Sequence, residues 1–156
     1  MGDFKIDTRR VELAIFSPDR ESVVFGDDEG IIRVWNVDAG KQDGESLDGH
    51  TNNVKCLSFS CDCKYPASGS ADTTILMWDV DKRKAKTRPL RRHARDVTAV
   101  EFSPCGANVV SGSSDRTILV WNAFAGKVLR KIICEDVVFS VSYSPMVLVS
   151  CPGVLT

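Results

Sequence analysis

VTAVEFSPCGANVVSGSSDRTILVWNAFAGK, residues 97–127, holds three short apolar runs separated by two turn signals. Val97–Phe102 ends at Ser-Pro-Cys-Gly, and Asn108–Ser111 ends at Gly-Ser-Ser-Asp. Thr117–Trp121 is rich in β-branched residues. Short β-rich runs bounded by Gly, Pro, Ser and Asp predict antiparallel strands joined by tight turns. One such unit exposes two sheet faces and needs neighbours to bury them.

The neighbours lie in the same chain. Trp121 is preceded by Trp78 at a distance of 43 residues and by Trp35 at 43 more. The same shift carries Val97 to Val54 and Val11, Phe102 to Phe59 and Phe16, and Gly112 to Gly69 and Gly26. It also carries Ile118 to Ile75 and Ile32, and Lys127 to Lys84 and Lys41. A period of about 40–45 residues, with four short strands per unit, is the signature of a propeller blade.

The units resemble WD40 repeats. Gly49-His50 and Trp78-Asp79 match the dipeptides that name the family's pattern. Ser68-Gly69-Ser70-Ala71-Asp72 and Ser111-Gly112-Ser113-Ser114-Asp115 match its turn between second and third strands. Phe16-Ser17-Pro18-Asp19 and Phe102-Ser103-Pro104-Cys105-Gly106 match the turn after the first strand. The resemblance implies an all-β fold of four-stranded antiparallel blades, here an incomplete array of about three and a half. It implies a non-catalytic scaffold whose partners are other proteins.

The whole chain, 1–156, reads as a single partial WD-repeat domain with units near 7–49, 50–92 and 93–133, and a truncated one at 134–156. Strands are expected at Val11–Phe16, Val23–Gly26 and Ile31–Trp35, with an outer strand near Glu45–Leu47. In the second unit they are expected at Val54–Phe59, Ala67–Ser68 and Thr74–Trp78, with an outer strand near Ala85–Leu90. The third unit ends with an outer strand near Val128–Ile133. Gly2–Ile6 reads as the outer strand of another blade. In the fourth unit, Val138, Val141 and Tyr143 repeat the pattern of Val97, Val100 and Phe102, and Met146–Ser150 can form a second strand. Open blade flanks would expose apolar surface, so self-association is a further expectation.

Composition narrows the function. Net charge is −1, so no global field draws the chain to nucleic acid or membrane. No apolar run reaches the length of a membrane span. Residues 1–6 do not read as a signal peptide, so cytoplasm or nucleus is expected and the six cysteines are expected to be reduced. Cys61-Asp62-Cys63 has no second pair at ligand spacing, so no metal is expected. No Gly-rich phosphate loop or nucleophile signature appears, and neither an enzyme nor a cofactor is expected.

The resemblance implies a hydrogen-bonded network inside each blade: His50, Ser68, Asp72 and Trp78 in the second unit, and His93, Ser111, Asp115 and Trp121 in the third. A buried Asp needs donors, and a His ring with a Ser hydroxyl can relay them to a Trp N–H. The first unit departs, with Asp7, Phe25, Glu29 and Trp35 at the four places. His, Asp and Ser together also suggest a hydrolase triad, but they recur once per unit, which one active site would not require. The loops that such networks hold offer a candidate protein-binding face: Arg9, Arg10 and Asp28; Asn52, Asn53 and Ala71; and Arg95, Asp96 and Ser114.

Two other readings stay open. Residues 82–95 carry eight basic side chains, Lys82, Arg83, Lys84, Lys86, Arg88, Arg91, Arg92 and Arg95. Such a run could read nucleic acid or a phosphorylated ligand. Its charges equally suit an outermost strand protected against edge pairing, and no aromatic residue interleaves it, which weighs against nucleic acid. The array could also be a detached regulatory module of a larger NTPase-type protein.

Overall fold

The computed structural model describes residues 10–143. Every regular element in it is a strand. Blade 1 consists of β1 (Val11–Phe16), β2 (Ser22–Asp27), β3 (Ile32–Asn36) and β4 (Lys41–Gln42), paired in that order. Blade 2 consists of β5 (Val54–Phe59), β6 (Pro66–Ser70), β7 (Thr74–Asp79) and β8 (Lys84–Ala85), with β9 (Leu90–Arg91) also pairing with β7. Blade 3 consists of β10 (Val97–Phe102), β11 (Asn108–Ser113), β12 (Thr117–Asn122) and β13 (Val128–Ile133). All pairings are antiparallel.

Burial along the third strands shows how the blades stack. All six residues of β7 are buried, whereas β12 alternates between buried and half-buried. Successive side chains of a strand point to opposite faces. Both faces of blade 2 are therefore covered, one by blade 1 and the other by blade 3. The first interface is built from Val24, Ile32, Val34, Leu47, Val54, Leu57, Leu76 and Trp78. The second uses Ile75, Met77, Leu90, Val97, Phe102, Val109, Leu119 and Trp121, among others.

One contact repeats at each interface. A Cβ placed on Gly26 would stand 2.6 Å from Val54, and one on Gly69 would stand 2.5 Å from Val97. One on Gly112 would collide with Val138 in the same way. The second strand of each blade thus leaves a notch that the first valine of the next unit fills. Val138 occupies this seat, and its N–H donates to Ser113 O at 3.2 Å. The fourth unit therefore begins where a next blade would dock. The strand expected over Val138–Tyr143 does not form among the described residues. Gly2–Ile6 and Met146–Ser150 lie outside the described residues.

The outer strands depart from expectation. In blade 1 the pairing lies at Lys41–Gln42, and Leu47 contributes a single bridge to Ile32. Between them Gly44 turns the chain with φ +69°. In blade 2 the expected Ala85–Leu90 strand is split into β8 and β9. Pro89 has no N–H for a ladder, and Lys86 Nζ lies 3.0 Å from the centroid of the Tyr65 ring.

Among the described residues Cys56, Cys61, Cys63 and Cys134 are free.

Candidate functional site

The two repeating networks have nearly the same geometry. In blade 2, His50 Nδ1 lies 2.9 Å from Asp72 Oδ2, and His50 Nε2 lies 2.7 Å from Ser68 Oγ. Trp78 Nε1 donates to the same Ser68 Oγ at 2.7 Å. In blade 3, the corresponding distances are 3.0 Å for His93–Asp115, 2.8 Å for His93–Ser111 and 2.8 Å for Trp121–Ser111. One tautomer satisfies every partner: Nδ1–H donates to the carboxylate, and Nε2 accepts from the serine hydroxyl. The serine oxygen then accepts from the indole N–H. Thr74 and Thr117 each add an O–H and an N–H to Oδ1 of the aspartate.

The electrostatics fit that tautomer. Burial pushes the His50 and His93 pKa values below 6.5, outweighing the pull of Asp72 and Asp115. Both rings are therefore neutral at neutral pH. Burial alone would raise Asp115, but hydrogen bonds from Thr117, Ala94 and His93 outweigh it and hold the carboxyl at about 2. Asp72 is lowered by the same balance. A hydrolase reading fails on access, since Ser68 and Ser111 are fully buried and no substrate reaches either Oγ.

Gly49 belongs to the same construction. A Cβ there would stand 2.9 Å from the Trp78 ring, so the backbone before His50 rides directly over the indole.

Blade 1 solves the problem differently. Phe25 is buried where the other blades place serine, and Trp35 is half-buried. Asp27 stands at the position of Ser70 and Ser113, and Arg33 at that of Leu76 and Leu119. Arg33 Nη1 donates to Asp27 Oδ2 at 2.5 Å, and the two side chains are 14% and 3% exposed. Asp27 Oδ1 accepts the N–H groups of Glu29 and Ile31. This ion pair thus fixes the β2–β3 turn. Reading the sequence by register missed it, although a charged pair where the other units carry serine and leucine was the available signal.

The consequence lies at the surface. The Thr51 N–H donates to Asp72 and the Ala94 N–H to Asp115, so each network holds the loop before a first strand. Those loops are also tied to the turns between second and third strands. Asp28 N–H donates to Arg10 O, Ala71 N–H to Asn53 O, and Ser114 N–H to Asp96 O. Ser70 Oγ–H donates to Asn52 O and Ser113 Oγ–H to Arg95 O. Each expected pair of segments therefore meets at the same end of its blade. Arg10, Asn52 and Arg95 are exposed, whereas Asp28, Asn53, Ala71, Asp96 and Ser114 are half-buried. Arg9 and Asp7 lie outside the described residues. A hollow of about 450 Å³ opens among Arg95, Ser114, Asp115, Arg116 and Val137. Among the described residues no group of His, Cys, Asp and Glu side chains is placed to hold a metal ion.

Residues 42–79 and 84–122 match the family model described as WD domain, G-beta repeat. Each match begins on the outer segment of one blade and ends on the third strand of the next. No curated protein matches the chain. Among solved structures, U3-55K superposes with a TM-score of 0.81 at 22% identity, over 88% of this chain and 43% of that one. The crystal structure of RRP9 WD40 repeats gives 0.80 at 22% identity, with coverage of 88% and 43%. A chain in the crystal structure of the mitotic checkpoint complex gives 0.83 at 21% identity, covering 90% of this chain and 43% of that one. Identity this low speaks for the fold alone. The chain spans 43% of the length of each of these structures.

Proposed function

Since this chain is a WD40-repeat protein, we propose that it is a non-catalytic platform that captures other proteins through the loop face above its buried networks. The observation that carries this reading is the pairing of loops at one end of every described blade, each pair joined by main-chain hydrogen bonds. Side chains on loops held in this way bind with little ordering cost. The exposed groups mix two arginines with an amide and are flanked by Asp28 and Asp96, which suits a polar protein surface better than a uniform polyanion. The family's use as an interaction scaffold supports the proposal, as does the occurrence of the same fold in a mitotic checkpoint complex.

The test begins with affinity purification and mass spectrometry from the native cell, followed by binding measurements with the purified partner. Arg10→Glu with Arg95→Glu is expected to weaken capture at least tenfold, about 1.4 kcal/mol. The melting midpoint should not move, because both side chains are exposed and the ion pair of Arg10 with Glu12, at 3.4 Å, lies at the surface. Lys82→Glu with Lys84→Glu, on the outer edge, is the control. Loss of capture in the control and not in the face variant would overturn the assignment.

A further inference from the structure

We propose that the trough between the outer strands of blades 2 and 3 is a second binding site, for an extended acidic peptide segment of a partner protein. Two adjoining hollows of about 520 and 680 Å³ share Arg92 and Gly126. Among the described residues they are lined by six cationic side chains, Lys86, Arg88, Arg91, Arg92, Lys127 and Lys131, and by no carboxylate.

The nearby cations Lys82 and Arg83 are neutralised by Asp79 and Asp43, at 2.7 and 2.6 Å. Among the described residues, Arg88, Arg91, Arg92, Lys127 and Lys131 have no such partner. The chain as a whole carries a net charge of −1, so this is a local concentration and not a general basic character. Like charges within a Debye length of about 8 Å repel one another and favour an anion between them.

The trough is more than a charged surface. Trp121, Leu90 and Leu119 give it apolar lining, and Phe124 stands at its edge with 71% exposure. Lys86 lies over Tyr65 and 5.4 Å from the centroid of Phe124, so this cation is held in place. Among the described residues β9 and β13 are outermost in their sheets, and their outer edges offer main-chain groups to an extended segment.

A peptide fits better than a nucleic acid. One exposed ring is no stacking platform for successive bases. The basic region is also short. On one side the outer segment of blade 1 carries Asp38, Asp43, Glu45 and Asp48, and on the other β13 leads into Glu135 and Asp136. A long polyanion would run onto those carboxylates, whereas a short acidic peptide would not.

The site is independent of the loop face, and its test uses different residues. Fluorescein-labelled octaglutamate is titrated with the full chain at low and physiological salt and followed by fluorescence anisotropy. Saturable binding that weakens with salt is expected, with octaglutamine failing to bind. Arg88→Glu with Arg92→Glu should weaken it about tenfold or more. Lys41→Glu with Lys84→Glu makes the same charge change outside the trough and should leave affinity within about twofold. Arg88→Gln with Arg92→Gln reads the same loss if the Glu pair fails to fold. Equal weakening by both Glu pairs, equal binding of octaglutamine, or tighter binding of labelled oligouridine would each overturn the proposal.

Discussion

Removing the Asp72 carboxylate tests the blade network most directly. Its oxygens accept four hydrogen bonds: from His50 Nδ1 at 2.9 Å, Thr51 N at 3.0 Å, Thr74 N at 2.9 Å and Thr74 Oγ1 at 2.7 Å. Thr51 is exposed, and its N–H can turn to water. The other three donors belong to His50 and Thr74, which are 7% and 2% exposed. A buried donor left without a partner costs about 1–3 kcal/mol. The Asp72 side chain is itself 9% exposed, so water can partly enter the space it leaves. Asp72→Ala should therefore cost about 2–3 kcal/mol in total, toward the lower end for each donor. For a chain of this size that is a drop of about 5–10 °C in melting midpoint. The comparison is Asp43→Ala, which breaks a 2.6 Å pair with Arg83 in which the aspartate is 51% exposed. Such a surface pair contributes less than about 1 kcal/mol. Urea denaturation followed by tryptophan fluorescence measures both. Asp115→Ala should match Asp72→Ala, since the geometry repeats. A loss for Asp72→Ala no larger than that for Asp43→Ala would refute the claim that the network anchors the loops.

Gly69→Ala places a methyl 2.5 Å from both Val97 and Cys56, and overpacking of that kind should destabilise by about 1–3 kcal/mol; Val97→Ala in the same chain should recover part of the loss in denaturant melts. Thr73 has φ +73° where Gly30 stands in blade 1 with φ +90°, so Thr73→Gly should stabilise by up to about 1 kcal/mol, read as a higher urea midpoint. Acid should destabilise the fold in two stages. The folded His50 and His93 values lie below 6.5, so the unfolded chain takes up more protons and stability falls as pH drops through 6.5. Asp115 is held at about 2 against an ordinary 3.8, so its contribution, complete above the ordinary value, is lost as pH falls toward 2. Thermal melts across pH should show both stages, and Asp115→Asn should flatten the second.

Much of the architecture was legible before any coordinates. The 43-residue shift that aligns Trp35, Trp78 and Trp121 placed the first three strands of every blade to within a few residues, because alternation and turn chemistry act locally. The resemblance to WD40 repeats pointed to His50, Ser68, Asp72 and Trp78, and the shift carried that reading to their counterparts in blade 3, since each blade closes its network within one unit. Even the left-handed turn positions keep the period, with Gly30, Thr73 and Arg116 all at positive φ although only one of them is glycine. Contacts that leave the unit or break its pattern were decided by the tertiary structure. The notches at Gly26, Gly69 and Gly112 have meaning only once the next blade's valine is in place. Arg33 pairs with Asp27, a contact that the register of the other two blades does not contain. The basic run was read as one edge strand. Pro89 divides it, and packing of blade 3 against blade 2 brings Phe124, Lys127 and Lys131 alongside its second half. Local chemistry repeats with the sequence, whereas a surface between blades depends on residues some 40 positions apart that no single unit contains.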